Sequence, residues 1–179
     1  MTAASTQNYF ELFDLPVAFE IDNASLAERY RDLQRAAHPD RYANATERER
    51  REAMQMAANI NEAFQTLKSP LQRARYILQL KGVDFDDQKD TSFDSEFLME
   101  QIELREALAE VRDDPNALSR LNTLMQDINA RITDMQDDLA KALGSEDLTE
   151  AKAMVHKLQF LHKLRVESEN LEAELADAL

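Results

Sequence analysis

The sequence contains no cysteine, only two glycines and four prolines among its 179 residues. Without cysteine the chain cannot form disulfides, thiolate zinc sites, cysteine-ligated iron–sulfur clusters or a cysteine nucleophile. This composition fits a reducing cytosol, so we expect a cytoplasmic location. So few glycines and prolines cannot supply the turns of a many-stranded sheet. Because good helix formers such as Ala, Leu, Glu and Gln dominate instead, the sequence predicts an all-α fold.

Long apolar runs and excess basic charge are also missing. No apolar stretch approaches the roughly 20 residues that cross a bilayer, and the N-terminus MTAASTQNYFELF lacks the basic and apolar regions of a secretory signal. The net charge is −14, and all of this excess lies in residues 82–179, because residues 1–81 are balanced. An acidic chain repels phosphate backbones, so we expect no nucleic-acid partner. The step in charge indicates two units.

The acidic, polar stretch GVDFDDQKDTS separates these units. We predict domains at 1–81 and 93–179, joined by a linker at 82–92, with Gly82 closing the helix before it. Periodicity and breakers predict helices over 8–15, 24–37, 46–68, 70–81, 93–112, 115–142 and 147–178. Because short turns join the last three helices, we expect them to form an antiparallel three-helix bundle.

Apolar residues recur along the long helices at steps of three and four, which places them on one face. The predicted core faces include Ala53, Met56, Ile60, Phe64 and Leu67 on helix 46–68, and Leu118, Leu121, Met125 and Ile128 on helix 115–142. Thr46 and Glu49 have the spacing of a capping box, and Asp22 or Asn23 can cap the helix before them. We expect Gly144 to end helix 115–142.

The most specific motif is His38-Pro39-Asp40, which lies between two amphipathic helices. A residue that precedes proline is pushed out of the α region, so the first of these helices stops at His38. The tripeptide alone could be a simple helix-stop turn with Asp40 as a cap. It could also be a catalytic His38–Asp40 pair in a helical hydrolase, although no nucleophile or glycine-built oxyanion site is nearby in the sequence.

Residues 8–68 resemble a J-domain, through the segments YFELFDLP, AERYRDLQRAAHPDRYA and INEAFQTLKSP. The resemblance implies a long antiparallel helical hairpin with His-Pro-Asp at its tip. It also implies that His38, Pro39 and Asp40 contact a DnaK-type chaperone ATPase and stimulate its ATP hydrolysis. Pro39 would stiffen the tip, and Asp40 could accept a bidentate bond from an arginine of the partner.

Basic residues flank this tip. The resemblance implies that Arg31, Arg35 and Arg41 face an acidic surface of the ATPase. Glu28 and Asp32 lie on the same exposed side, so the alternative is a solvated helix face with weak local ion pairs.

Helix 93–112 carries two apolar strips. Phe97, Leu104, Leu108 and Val111 form the expected core stripe, whereas Leu98, Met99 and Ile102 fall outside it, next to glutamates. Phe160 on the last helix likewise points away from Leu158 and Leu161, which predicts an exposed contact. The alternative is a broad core that buries all of these residues.

The second half, through FLMEQIELREAL at 97–108 and KLQFLHKLR at 157–165, resembles the HscB co-chaperones of iron–sulfur cluster assembly. The resemblance implies a non-enzymatic protein without a cofactor that presents the scaffold protein IscU to the chaperone HscA. The implied client-binding residues are Leu98, Met99, Ile102 and Phe160, with Glu103, Glu106 and Glu110 as acidic companions. A generic J-domain protein with a different client is the alternative.

No metal site is expected. Some members of the family carry an N-terminal cysteine-rich zinc module, and this chain, without cysteine, resembles the bacterial form. His156 and His162 are six residues apart on one predicted helix, rather than the four that would share a face.

Overall fold

The computed structural model describes residues 7–42, 45–85 and 95–177. These ranges contain only helices, and no strand occurs within them. The helices are α1 Tyr9–Leu12, α2 Asn23–Ala36, α3 Glu47–Lys68, α4 Pro70–Leu80, α5 Ser95–Val111, α6 Ala117–Gly144 and α7 Leu148–Asp177, with a 3-10 helix at Pro39–Tyr42. The predicted all-α fold is confirmed. No helix in the described ranges is both long enough and apolar enough to cross a membrane.

The chain divides into two compact units, Met1–Ile77 and Leu78–Leu179, and the division falls within α4. Each unit has its own buried apolar core. The domain limits at 1–81 and 93–179 stay predictions, as does the linker at 82–92, whose residues 86–92 lie outside the described ranges.

Side-chain caps fix the starts of the two long helices of the first unit. Asp22 caps α2 by accepting a hydrogen bond from the backbone N–H of Ala24 at 2.9 Å. Thr46 and Glu49 form the predicted capping box on α3, with the Thr46 N–H donating to Glu49 Oε2 at 2.8 Å. The bond from the Thr46 hydroxyl lowers the pKa of Glu49 below its ordinary value.

Gly82 closes α4 as predicted. Its φ is +81°, its N–H donates to the carbonyl of Gln79 at 3.0 Å, and the next N–H, of Val83, donates to Leu78 at 2.9 Å. This pair of bonds is the Schellman arrangement, which requires a left-handed residue at Gly82.

The end of α6 differs from the expectation in one respect. Gly144 is the last helical residue, but the left-handed residue that turns the chain is Glu146, with a φ of 58°. The Asp147 N–H then donates to the Ala142 carbonyl at 2.9 Å. Glu146 also accepts a bond from Lys81 Nζ at 2.8 Å, and this cation lowers the pKa of the carboxyl group.

The α2–α3 hairpin is the main feature of the first unit. Its buried residues are Leu26 and Ala37 beside Ala53, Ile60, Ala63 and Leu67. Across the hairpin the Tyr30 ring stacks on Phe64 with 3.9 Å between centroids, and the Tyr30 hydroxyl donates to Asn61 at 2.8 Å. These contacts set how the two helices align along their length.

The predicted core face of α3 is wrong at one position, since Met56 is half exposed. Met56 lies at the edge of the α2–α3 contact and borders a shallow apolar groove with Leu33 and Ile60. Leu118, on the predicted core face of α6, is also exposed, because it lies in the first turn of that helix.

Ion pairs between helices show the directions of the bundle in the second unit. Glu110 and Glu100 of α5 pair with Arg120 and Arg131 of α6, so these two helices run antiparallel. Arg105 of α5 and Arg112, the residue after α5, pair with Glu167 and Glu174 of α7 in the same numerical order, so α5 and α7 run parallel. The bundle is therefore up-down-up, as the short turns predict.

A buried arginine ties the first unit together. Arg73 on α4 is only 6% exposed. Its Nε donates to the Phe19 carbonyl and its Nη1 to the Leu67 carbonyl, each at 2.6 Å. The guanidinium also lies over the Phe19 ring at 5.2 Å, and burial lowers its pKa. Arg73 thus satisfies a carbonyl at the end of α3 and holds the segment before α2.

We expect Arg73→Met to lower the free energy of unfolding by about 2–4 kcal/mol, because it removes the donor to the buried Leu67 carbonyl and to the partly buried Phe19 carbonyl. Urea unfolding followed by circular dichroism measures the change. Arg51→Met, at an exposed ion pair with Glu47 on α3, is the control and should cost less than about 1 kcal/mol. Equal losses in the two variants would contradict the role of Arg73.

Candidate functional site

The tip of the hairpin is an ordered turn. α2 ends at Ala36, and the 3-10 helix begins three residues later, at Pro39. The Arg41 N–H donates to the His38 carbonyl at 3.1 Å, which closes the turn around the motif. The Tyr42 hydroxyl donates back to the Ala36 carbonyl at 3.4 Å. The main chain of the motif is therefore fixed by local bonds.

The side chains of His38 and Asp40 lie close together at the tip. The Asp40 N–H donates to His38 Nδ1 at 3.3 Å, so that nitrogen acts as an acceptor. The Asp40 carboxylate lies 3.6 Å from the same nitrogen and its side chain is 91% exposed. Asp40 thus keeps a carboxylate available to an outside donor.

A groove of about 910 Å³ lies along α2 and the tip. It is lined by Glu28, Arg31, Asp32, Gln34, Arg35, Ala37, His38, Arg41 and Ala57. The structure therefore brings together four of the six residues expected to bind the chaperone, and Pro39 and Asp40 follow in the adjoining turn. None of the lining residues has a hydroxyl, thiol or amine side chain.

The arginines of this groove differ in how they are paired. Arg35 forms an ion pair with Asp32, one turn earlier on α2. Arg31 donates to the Ala27 carbonyl at 3.2 Å. Within the described ranges no carboxylate lies within ion-pair distance of Arg31 or Arg41. Both charges are open to an acidic partner.

The exposed side of α5 carries the second candidate site. Leu98 is 44%, Met99 63% and Ile102 56% exposed, while Phe97 and Leu104 on the opposite side are buried. This exposure agrees with the helical spacing and excludes the broad core for these three residues. Their role in client binding stays a prediction.

Phe160 does not fit the expectation of an exposed aromatic. It is half-buried, with its ring edge-on to Phe97 at 5.8 Å between centroids and an interplanar angle of 86°. The Arg105 guanidinium lies 5.5 Å from the ring centroid. Phe160 therefore stands at the margin of the core, with a cation over one face.

The three predicted acidic companions are all exposed. Glu110 is paired with Arg120 at 2.6 Å. Glu103 and Glu106 have no cation within ion-pair distance among the described residues. The negative charge beside the apolar strip therefore comes mainly from Glu103 and Glu106.

Sequence reasoning missed Arg105. The sequence did contain a signal. Arg105 is the only basic residue of α5, and it follows Leu98 by seven residues, which places both on the same side of the helix. Its contact with Phe160 depends on the packing of α5 against α7, which spacing within one helix does not report.

The two histidines of α7 are both partly buried. His156 lies against the Phe85 ring, with 5.5 Å between ring centroids, and the buried Nε2 of His162 has no hydrogen-bond partner among the residues that the structure describes. Within the described ranges no cluster of three potential metal-binding side chains occurs.

Known proteins share this arrangement. Residues 93–178 match the family described as the HSCB C-terminal oligomerisation domain. The co-chaperone protein HscB homologue of Shewanella loihica is 44% identical over 171 residues, which span 94% of this chain and 99% of that protein. The structure of chaperone HscB from Vibrio cholerae, 40% identical, matches with a TM-score of 0.86 over 94% of this chain and 99% of that one.

The crystal structure of human co-chaperone protein HscB, 27% identical, matches with a TM-score of 0.88 over 96% of this chain and 85% of that one. A hairpin with His-Pro-Asp at its tip, followed along the chain by a three-helix bundle, defines a J-domain co-chaperone. This chain belongs to the HscB co-chaperone family.

His162 makes stability depend on pH. Burial lowers its pKa below the ordinary 6.5, with Arg165 adding repulsion. As the pH falls through about 6.5, His162 takes up a proton in the unfolded chain before it does so in the folded chain. The free energy of unfolding therefore decreases as the pH drops from the unfolded pKa of His162 to its folded pKa. We expect His162→Gln to lose less stability than wild type between about pH 7.5 and about pH 5.5 in urea unfolding.

The Asn116 N–H lowers the pKa of the Asp114 carboxyl group, so this group titrates below the pH window of the comparison. An identical pH slope in wild type and His162→Gln would contradict the assignment to His162.

Proposed function

We propose that this protein is an adaptor with two binding sites. The hairpin tip stimulates the ATPase of a DnaK-type chaperone, HscA, and the bundle delivers the iron–sulfur scaffold protein IscU to it during iron–sulfur cluster assembly. The observation that carries the proposal is the exposed Asp40 carboxylate on a turn whose main chain is already fixed.

The tip suits a transient, charge-directed contact. Since local bonds hold the turn, docking orders little further backbone, which reduces the entropy lost on binding. An exposed carboxylate can accept two parallel bonds from an arginine of the partner. A variant that loses this acceptor leaves the partner's arginine unpaired, which is costly once water is excluded.

The groove beside the tip supplies attraction at longer range. Arg31 and Arg41 are not neutralised by carboxylates of the described residues, so their field extends toward an acidic surface. Such complementarity raises association rates more than it raises affinity. Arg35 is paired with Asp32 and contributes less.

The strip on α5 has the construction of a protein interface. Leu98, Met99 and Ile102 form an exposed apolar centre, and Glu103 and Glu106 form an acidic margin. Apolar burial yields about 25 cal/mol per Å², whereas an exposed ion pair yields about 0–1 kcal/mol. We therefore assign the affinity for IscU to the strip and its selectivity to the margin, with the half-buried Phe160 as a further contact.

The chaperone site and the client site lie on different compact units, so substitutions in one should leave the other intact. This separation makes each half of the proposal testable alone.

We expect His38→Gln or Asp40→Asn to reduce stimulation of the HscA ATPase by more than about tenfold, because truncating one side of a desolvated polar pair costs several kcal/mol. Steady-state phosphate release measures the effect, and thermal melts establish that the fold is retained. Glu20→Gln, an exposed carboxylate of the same unit, is the matched control. Stimulation by either motif variant at the level of this control would contradict the proposed mechanism.

We expect the triple variant Leu98→Ala, Met99→Ala, Ile102→Ala to weaken IscU binding by about thirtyfold or more, because it removes the apolar centre. Isothermal titration calorimetry measures this affinity, and stimulation of HscA in the absence of IscU should not change. Leu118→Ala with Val166→Ala truncates exposed apolar residues elsewhere on the bundle and serves as the control.

Unchanged IscU affinity in the triple variant would contradict the client site and favour a J-domain co-chaperone with a different client. Equal losses in the triple variant and its control would show a general effect of apolar truncation instead.

A further inference from the structure

Arg105 is the one basic residue of α5, among five glutamates. It follows Ile102 by three positions and Leu98 by seven, so it lies on the exposed side of α5 next to the apolar strip. Its side chain is 53% exposed. Arg105 is therefore the single positive charge that α5 itself contributes to this surface.

Arg105 also covers part of the candidate client site. Its guanidinium lies 5.5 Å from the Phe160 ring centroid. A cation over an aromatic face gains strength when water is excluded. Burial under a client would strengthen this contact, but it would also remove the guanidinium from solvent.

The existing counter-charge of Arg105 is weak. Arg105 and Glu167 approach only to 3.9 Å, whereas Arg112 and Glu174 approach to 2.8 Å. The two pairs are seven residues apart along both segments, although Arg112 lies in the turn that follows α5 and Arg105 lies within the helix. The guanidinium that lies over Phe160 is thus the one left incompletely paired.

We propose that Arg105 is a recognition residue of the client surface and that the client places a carboxylate against it. This inference rests on the proposed client-binding function. Burial of a guanidinium that lacks a counter-charge costs free energy. The paired N–H groups of the guanidinium match the two oxygens of a carboxylate better than they match any neutral group. The client face therefore carries basic groups opposite Glu103 and Glu106 and one acidic group opposite Arg105, a pattern that fixes its register on α5.

The direction in which Arg105→Gln changes the affinity for IscU tests this inference. If a client carboxylate faces Arg105, Arg105→Gln weakens IscU binding by about tenfold or more in isothermal titration calorimetry. Arg112→Gln removes another arginine that pairs with α7, seven residues further along the chain, and should change affinity by less than about twofold. If the client offers only basic groups, Arg105→Gln relieves repulsion and tightens binding, and either tighter or unchanged binding would overturn the proposal.

The variant Glu167→Gln tests whether the counter-charge of Arg105 in the complex is a carboxylate of the client or Glu167 of this protein. We expect it to leave IscU affinity unchanged or raise it, since it removes a competitor for Arg105. A loss as large as that of Arg105→Gln would show that Glu167 is the counter-charge in the complex and would overturn the inference.

The same titrations distinguish the two failures. If wild type does not bind IscU, or if the triple alanine variant binds as wild type does, the client-binding function and this inference fall together. If those measurements behave as expected while Arg105→Gln does not weaken binding, only the role of Arg105 is refuted.

Discussion

The restriction that Pro39 places on His38 ends α2 where the chain must reverse its direction. α2 stops at Ala36 and the 3-10 helix follows, so that the motif occupies a turn rather than a helix face. Because a main-chain bond of 3.1 Å closes this turn, the Asp40 carboxylate stands in solvent on a fixed backbone. The Tyr30–Phe64 stack then aligns the hairpin that carries the tip. The proposed chaperone site depends on this one backbone restriction.

The two candidate surfaces differ in the interactions on which binding would depend. At the tip, charge dominates, and the open arginines beside Asp40 favour rapid, salt-sensitive encounter. On α5, exposed apolar side chains supply the larger share of any binding free energy, and the flanking glutamates with Arg105 supply discrimination. In the proposed adaptor, the tip would therefore govern the rate of encounter with the chaperone, and the strip on α5 would govern the affinity for the client.

Much of this structure follows from local sequence. Helical periodicity predicts every long helix, proline predicts the tip, and the spacing around Phe97 predicts the exposure of Leu98, Met99 and Ile102. The remainder depends on contacts between elements. The spacing of apolar residues predicts the side of α7 on which Phe160 lies. It does not predict that the Phe97 ring and the Arg105 guanidinium contact Phe160 there. Likewise, nothing local distinguishes the buried Arg73 from an exposed arginine, because its acceptors come from other segments.

The central claim is that one molecule engages both chaperone and client. The most direct measurement is the ATPase rate of HscA alone, with this protein, with IscU, and with both. Because an adaptor links the two binding events, the rise with both present should exceed the sum of the separate rises. A merely additive rate, or no stimulation by the protein in any mixture, would contradict the account.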